Sequence, residues 1–215
     1  MVESPTILLL SRWLDAVPAF VDTYVRPRLS SPDTPVRFGF IPTASSIYPE
    51  HPWVELDRAT LQGFGYAVVD IPLDDLTTAE SLSRIDDVDA VFVSGGNVFH
   101  LLHVLRGTGL DAELTDRVRA GLPYLGASAG ACVIGPDIAP LALLDDPTET
   151  QPLTSTEGLG LVDAIPVPHA DGVVCGTAAI EEIRNRYADS HNLVFLDDDQ
   201  ALEVVGTRRT VVRSG

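Results

Sequence analysis

The chain has 215 residues, 45% of them hydrophobic and 21% charged, a globular composition that excludes an intrinsically disordered chain. Its 14 basic residues, all arginine, stand against 31 acidic ones, for a formal net charge of −17. Such a surface repels phosphate backbones and anionic lipid, so neither a nucleic-acid nor a membrane partner is expected. The lack of lysine also excludes a Schiff base, a Walker-type phosphate lysine and a Ser–Lys dyad.

In chain order, Thr6–Leu10 is a short apolar run that reads as a buried strand. Trp13–Leu29 is helical in pattern, interrupted by Pro18 and ended by Pro27. Val36–Ile41 is a second strand, Glu50–Phe64 a helix closed by Gly63 and Gly65, and Tyr66–Ile71 a third strand. Thr78–Ile85 is a short helix and Val88–Val93 a fourth strand, followed at once by Ser94-Gly95-Gly96-Asn97. Helices are predicted over Val98–Arg106 and Leu110–Ala120. Pro123–Ala127 is a fifth strand that runs into Gly126-Ala127-Ser128-Ala129-Gly130. From Pro136 to Pro166 the periodicity fails, which predicts a long functional or mobile loop. A short extended run at Ala164–Pro168 and a helix over Thr177–Ala188 follow. The tail, Leu193–Val212, reads as strands with hairpin turns at Asp197–Gln200 and Gly206–Arg209.

Strands alternating with helices predict an α/β fold with a parallel sheet covered on both faces, in one domain over residues 1–215. Such sheets bind ligands at the carboxyl ends of their strands, where both Gly-rich turns fall. Cys132 and Cys175 are too few for a disulfide framework, and the apolar run Ile7–Leu10 is too short for a signal core. A cytoplasmic protein is therefore expected. Monomer and homodimer stay open.

Gly126-Ala127-Ser128-Ala129-Gly130 fits G-x-S-x-G between a strand and a helix start. A nucleophile in a sharp turn needs small neighbours, and Gly126, Ala127, Ala129, Gly130 and Ala131 supply them. The alternative is a tight turn with a capping serine. A serine nucleophile needs a base. Of five histidines, His100 and His103 sit three apart on a helix without a third metal ligand, and His51 and His191 lie in loops. His169 ends a segment stiffened by Pro166 and Pro168 and lies 41 residues after Ser128. The acid that would hold the imidazole is open among Asp197, Asp198 and Asp199 in the tail and Asp145 and Asp146 in the long loop. Gly95 and Gly96 allow close backbone approach to a ligand, which suits an oxyanion donor paired with the N–H of Ala129. Asn97 is a substrate-binding candidate with Gly95, and equally a helix N-cap. Cys132 reads as a buried small hydrophobe. Cys175 precedes a helix N-terminus, which could lower its pKa.

The stretches Val93–Leu102 and Gly126–Ala131, with Pro168-His169 and the Leu196–Leu202 turn, resemble peptidase E, the aspartyl dipeptidase family of serine peptidases. The resemblance spans nearly the whole chain. It implies a flavodoxin-like sheet similar to class I glutamine amidotransferases, with a serine replacing their cysteine. It implies Ser128 as nucleophile, His169 as base, Asp198 as acid with Asp199 second, and an oxyanion hole from Gly96 and Ala129. No metal or cofactor is implied. The resemblance departs at one place: where the family carries an arginine for the substrate aspartate, this chain has Ala178 or Ala179, with Arg184 and Arg186 further along the helix. The expected function is a serine exopeptidase for short peptides, including dipeptides with N-terminal Asp. The alternatives are a non-peptide esterase or amidase with the same triad, and a silent small-ligand-binding protein.

Overall fold

A computed structural model of the chain describes residues 5–31 and 34–215. The strands are β1 (Thr6–Leu10), β2 (Arg37–Ile41), β3 (Ala67–Asp70), β4 (Ala90–Val93), β5 (Tyr124–Ala127), β6 (Ile165–Val167), β7 (Leu193–Phe195), β8 (Gln200–Val205) and β9 (Arg208–Arg213). Seven of them form one sheet in the order β3-β2-β4-β5-β1-β8-β9. The first five run parallel, and β8 and β9 close one edge as an antiparallel hairpin.

The central strands β1, β4 and β5 are buried at every position, on both faces of the sheet, because they are almost wholly apolar. In β1 the period of two sends Ile7 and Leu9 to one core cluster and Leu8 and Leu10 to the other. In β4, Val91 and Val93 join the first cluster, and Ala90 and Phe92 the second. Each fully buried Leu, Ile or Phe contributes roughly 1.5–3 kcal/mol. Helices α1 (Val17–Phe20) and α2 (Pro52–Gly63) cover one face. On the other lie α3 (Thr78–Ile85), α4 (Val98–Thr108), α5 (Leu110–Arg119) and α7 (Thr177–Tyr187), with the single turn α6 (Ala129–Cys132) behind β5. A capping box between Thr77 and Glu80 starts α3, and left-handed Gly109 separates α4 from α5.

Three expectations need correction. The Trp13–Leu29 helix is only the turn α1, a π-turn over Val21–Val25 and a 3₁₀ turn over Arg26–Arg28. Pro18 does not interrupt it but sits in its first turn, where a missing N–H costs nothing. Asp197–Gln200 is not a hairpin turn. Strand β7 pairs in parallel with β6 in a separate two-stranded sheet, and the chain then crosses to β8 in the main one. The 136–166 segment is a packed structure, with 3₁₀ turns at Ala139–Leu143 and Pro147–Glu149. Ile138, Leu141, Leu159 and Val162 anchor it in the core. No helical period runs through it, because Ile138 and Leu141 share one 3₁₀ turn while Leu159 and Val162 are buried from irregular chain.

Strands β4, β5 and α6 meet without side chains between them. A Cβ on Gly126 would lie 2.3 Å from the Gly130 carbonyl oxygen, and one on Gly130 would lie 2.1 Å from that of Val93. Gly130→Ala must therefore push α6 off β4, and urea denaturation should show a loss of about 1–3 kcal/mol or more. Gly107→Ala, in α4 with open space around it, should be neutral or stabilising.

Candidate active site

Several strand ends converge on one point. Strand β5 delivers Ser128, β1 delivers Ser11 and Arg12, β4 delivers Ser94–Asn97, β6 delivers His169, and β7 delivers Asp198. All are carboxyl ends, the side on which α/β sheets hold ligands.

Ser128 has φ 48° and ψ −111°, and His169 has φ 58°. Among the described residues these are the only non-glycine residues at positive φ, and they touch each other. Ser128 Oγ lies 3.1 Å from His169 Nε2, and His169 Nδ1 lies 2.6 Å from Asp198 Oδ1. The serine side chain makes no capping bond to α6, so the capping alternative does not describe it. Its N–H donates to the Leu10 carbonyl at 3.0 Å, and its own carbonyl accepts from Ala131 and Cys132. The Ser11 hydroxyl accepts from the N–H of His169 at 2.8 Å and donates to the carbonyl of Leu196 at 3.1 Å. One side chain at the end of β1 thus ties the base to the end of β7.

Asp198 is buried, and the Arg12 guanidinium donates to its Oδ2 at 2.8 Å. Burial works to raise its pKa, but hydrogen bonds from His169 and Arg12 outweigh burial and hold it below the ordinary carboxylate value. An acid kept ionised this way fixes the imidazole with its proton on Nδ1 and leaves Nε2 facing the serine.

The turn after β4 is held from behind. Asn97 N–H donates to the Ala44 carbonyl at 2.8 Å, and the Ser45 hydroxyl donates to the Gly95 carbonyl at 2.6 Å. A Cβ on Gly96, at φ 142°, would fall 2.2 Å from the Ala44 oxygen, so only glycine fits. Among the described residues the N–H groups of Gly96 and Ala129 meet no acceptor of the chain. Asn97 is fully buried. Its Oδ1 accepts from Phe99 and His100 N–H, and its Nδ2 donates to the Asp146 carbonyl. As a substrate contact it is corrected: it caps α4 and holds the turn. Helix α6 is a single turn, so what it offers is the N–H of Ala129 rather than a macrodipole.

A cavity of about 340 Å³ opens beside Ser128, at the lower end of ligand-binding pockets. Asp57 from α2 and Asp145 from the 136–166 segment line it, with Tyr48, Trp53 and Leu141. Asp57 Oδ2 accepts from the Ser94 hydroxyl at 2.8 Å, and Asp145 Oδ2 from the Val98 N–H at 2.9 Å. Burial pushes Asp57 up to about 6 against the Ser94 hydrogen bond. Burial pushes Asp145 up to about 7 against the Val98 bond.

The remaining candidates lie elsewhere. Asp199 pairs with Arg213, and Asp146 is exposed and accepts from Thr148. The Arg184 guanidinium stacks over the Phe195 ring at 3.8 Å and Arg186 pairs with Glu182, so neither lines the cavity. Burial raises the Cys175 thiol, which corrects the expectation of a lowered one. His100 is held by Ser46 and Thr150, and no cluster of three metal-ligating side chains occurs among the described residues. Ser11, Arg12 and Asp57 were missed because each is an ordinary polar residue in sequence, and only the strand ends bring them together.

The family model for peptidase family S51 matches residues 19–212. An uncharacterised peptidase of Listeria innocua is 37% identical over 138 residues, 62% of this chain and 64% of that one, just under two thirds of the relative's length. An uncharacterised peptidase of Pasteurella multocida is 30% identical over 174 residues, 81% of this chain and 83% of that one. A crystal structure from Listeria monocytogenes EGD-e, described as a candidate peptidase E protein, superposes with a TM-score of 0.85 at 26% identity, covering 99% of this chain and 100% of that one.

Because Asp57 and Asp145 titrate higher folded than unfolded, the native state binds more protons between about pH 4 and pH 7, and stability falls as pH rises through that window. Asp57→Asn and Asp145→Asn should each raise Tm above wild type at pH 8, with the gain vanishing below about pH 4. Thermal melts across pH check this, and a lower Tm at pH 8 in both variants contradicts it.

Proposed function

The chain belongs to peptidase family S51, and we propose that it hydrolyses short peptides through Ser128, His169 and Asp198. The coarser statement, a serine-type peptidase, follows from the family. The residue roles rest on one observation, the line of hydrogen bonds from Ser128 Oγ through His169 to Asp198 at 3.1 and 2.6 Å.

In this reading Ser128 Oγ attacks the peptide carbonyl carbon and its proton passes to His169 Nε2. The N–H groups of Gly96 and Ala129 stabilise the oxyanion, and Gly95 lets the substrate backbone approach. His169 then gives the proton to the leaving amine. Water hydrolyses the acyl-enzyme by the same steps in reverse. Asp198 keeps the imidazole in its working tautomer, and Arg12 keeps Asp198 ionised. No step calls for a metal or cofactor.

The 136–166 segment packs Leu141, Leu144 and Asp145 against the cavity, which suits short peptides over folded proteins. A preference for N-terminal aspartate, which the family resemblance implies, finds no free cation in the cavity lining among the described residues. Arg12 is the arginine of the lining and is engaged by Asp198. An unpaired substrate carboxylate would be costly to bury. The proposed substrate is therefore a short peptide with no requirement for N-terminal Asp.

Ser128→Ala should abolish both dipeptide hydrolysis and labelling by a serine-directed phosphonate. Asp198→Asn should lower kcat by about ten-thousandfold with little change in KM. Asp-X, Glu-X, Leu-X and Ala-X dipeptides are assayed beside casein and a panel of esters. Cleavage of esters alone would move the assignment to an esterase, and rapid cleavage of casein would remove the size limit. A wild type that neither turns over nor labels would leave a binding protein.

A further inference from the structure

We propose that Asp57 and Asp145 make the cavity beside Ser128 a receiver for a cationic group of the peptide substrate, either its free α-ammonium or a basic side chain. This rests on the peptidase reading above and names the substrate class it leaves open.

The first support is the balance of charge around the cavity. The titratable and charged groups lining it are Arg12, Tyr48, Asp57, Cys132, Asp145, His169 and Cys175, with Asp198 behind His169 and the Glu149 carboxylate near Asp145. Among the described residues the one arginine of the lining, Arg12, is already bound to Asp198 at 2.8 Å. Two carboxyls are thus left without a cationic partner in a confined space.

The second is geometry. Each carboxyl spends Oδ2 on a neutral donor, Ser94 Oγ for Asp57 and Val98 N–H for Asp145. Among the described residues the Oδ1 atoms have no partner. Both side chains keep contact with the cavity. They come from unconnected parts of the chain, α2 and the 136–166 segment, and are each positioned by a separate hydrogen bond.

The third is aromatic. Tyr48 and Trp53 also line the cavity, with ring centroids 6.0 Å apart at 72°. Aromatic faces favour organic cations and offer nothing to a carboxylate. The Trp53 ring is fixed by its Nε1–H, which donates to Ser45 Oγ at 2.8 Å, the same hydroxyl that anchors Gly95. Trp53 in the cavity wall and the turn beside the nucleophile are therefore positioned by one residue, Ser45.

Ionisation of the two carboxyls is coupled to such binding. Burial makes them reluctant to ionise when the cavity is empty, and a cation beside them reverses that cost. Affinity for cationic substrates should then weaken as pH falls through the range of about 6 to 7 in which the empty site titrates.

The test uses Arg-, Ala-, Asp- and N-acetyl-Ala-p-nitroanilide, in which the acyl side is defined, with wild type, Asp57→Asn and Asp145→Asn between pH 5 and pH 8. Phosphonate labelling of Ser128 is measured separately. Arg and Ala substrates should be the best and Asp the worst. In at least one variant either the Ala-to-N-acetyl-Ala or the Arg-to-Ala ratio of kcat/KM should fall roughly ten- to hundredfold, the loss expected of a charge-assisted hydrogen bond. For wild type, KM for the Arg and Ala compounds should rise on acidification while that for N-acetyl-Ala stays level. A collapse of the Ala-to-N-acetyl-Ala ratio in the variants identifies the α-ammonium as the bound group, and a collapse of the Arg-to-Ala ratio identifies the side chain. If no compound turns over, the same four are ranked by protection of Ser128 from the phosphonate. Preference for Asp in wild type, or ratios unmoved in both variants, overturns the proposal while labelling leaves the Ser128 reading standing. Absence of labelling sinks that reading and this proposal together.

Discussion

Ser128 sits at φ 48°, a conformation that costs a non-glycine residue on the order of 1–3 kcal/mol, so the surrounding structure must hold it there. The hold is close backbone packing. Gly126 lies against the Gly130 carbonyl, Gly130 against Val93, and a Cβ on Gly95 would meet the Ser128 Cβ at 3.3 Å. With no side chains in the way, the N–H of Ser128 reaches the Leu10 carbonyl. Strands β1, β4 and β5 therefore stop at the same level, and their polar ends crowd one space. The two apolar faces of the sheet serve this constraint, since a rigid buried sheet prevents the turn from relaxing.

His169 carries the matching strain from the other side. Its positive φ turns the imidazole from β6 back toward β5, and Ser11 secures its backbone. The small β6–β7 sheet brings Asp198 within 2.6 Å of that ring. Two separate sheets thus supply the two ends of one hydrogen-bonded line. This arrangement needs the 136–166 segment to span from α6 to β6, and its buried Ile138, Leu141, Leu159 and Val162 explain why so long a connection is ordered.

The electrostatics of the site differ from those of the surface. A chain with a net charge of −17 repels anions at long range, but salt screens that field within about 8–10 Å. Inside the cavity the local pairs decide. Arg12 neutralises Asp198, while Asp57 and Asp145 sit among neutral donors and aromatic rings.

Much of the parallel sheet was legible in the sequence. Unbroken apolar runs such as Ile7–Leu10 and Ala90–Val93 can be buried on both faces only between helices, and the Gly-rich turns after β4 and β5 mark strand ends where backbones approach closely. Ser128 was legible for the same reason, because only tiny neighbours tolerate its turn. The short helix Thr78–Ile85 was legible, but the Trp13–Leu29 segment was not, since α1 is one turn stabilised by tertiary contact rather than by its own period. Nor was the partner of β7: the tail read as strands, but the apolar residues of β7 suit either sheet equally and its pairing with β6 is a long-range choice. Among Asp197, Asp198 and Asp199 the residue types are identical, so local chemistry could not select one. The crossing from β7 to β8 did, by burying Asp198 against His169 and Arg12 and leaving Asp199 to Arg213. Sequence by itself determined the layered α/β class and the strained serine, because both follow from local patterns of bulk and polarity. Only the tertiary structure decided the acid and the acidic character of the cavity, because these depend on distances between residues far apart in the chain.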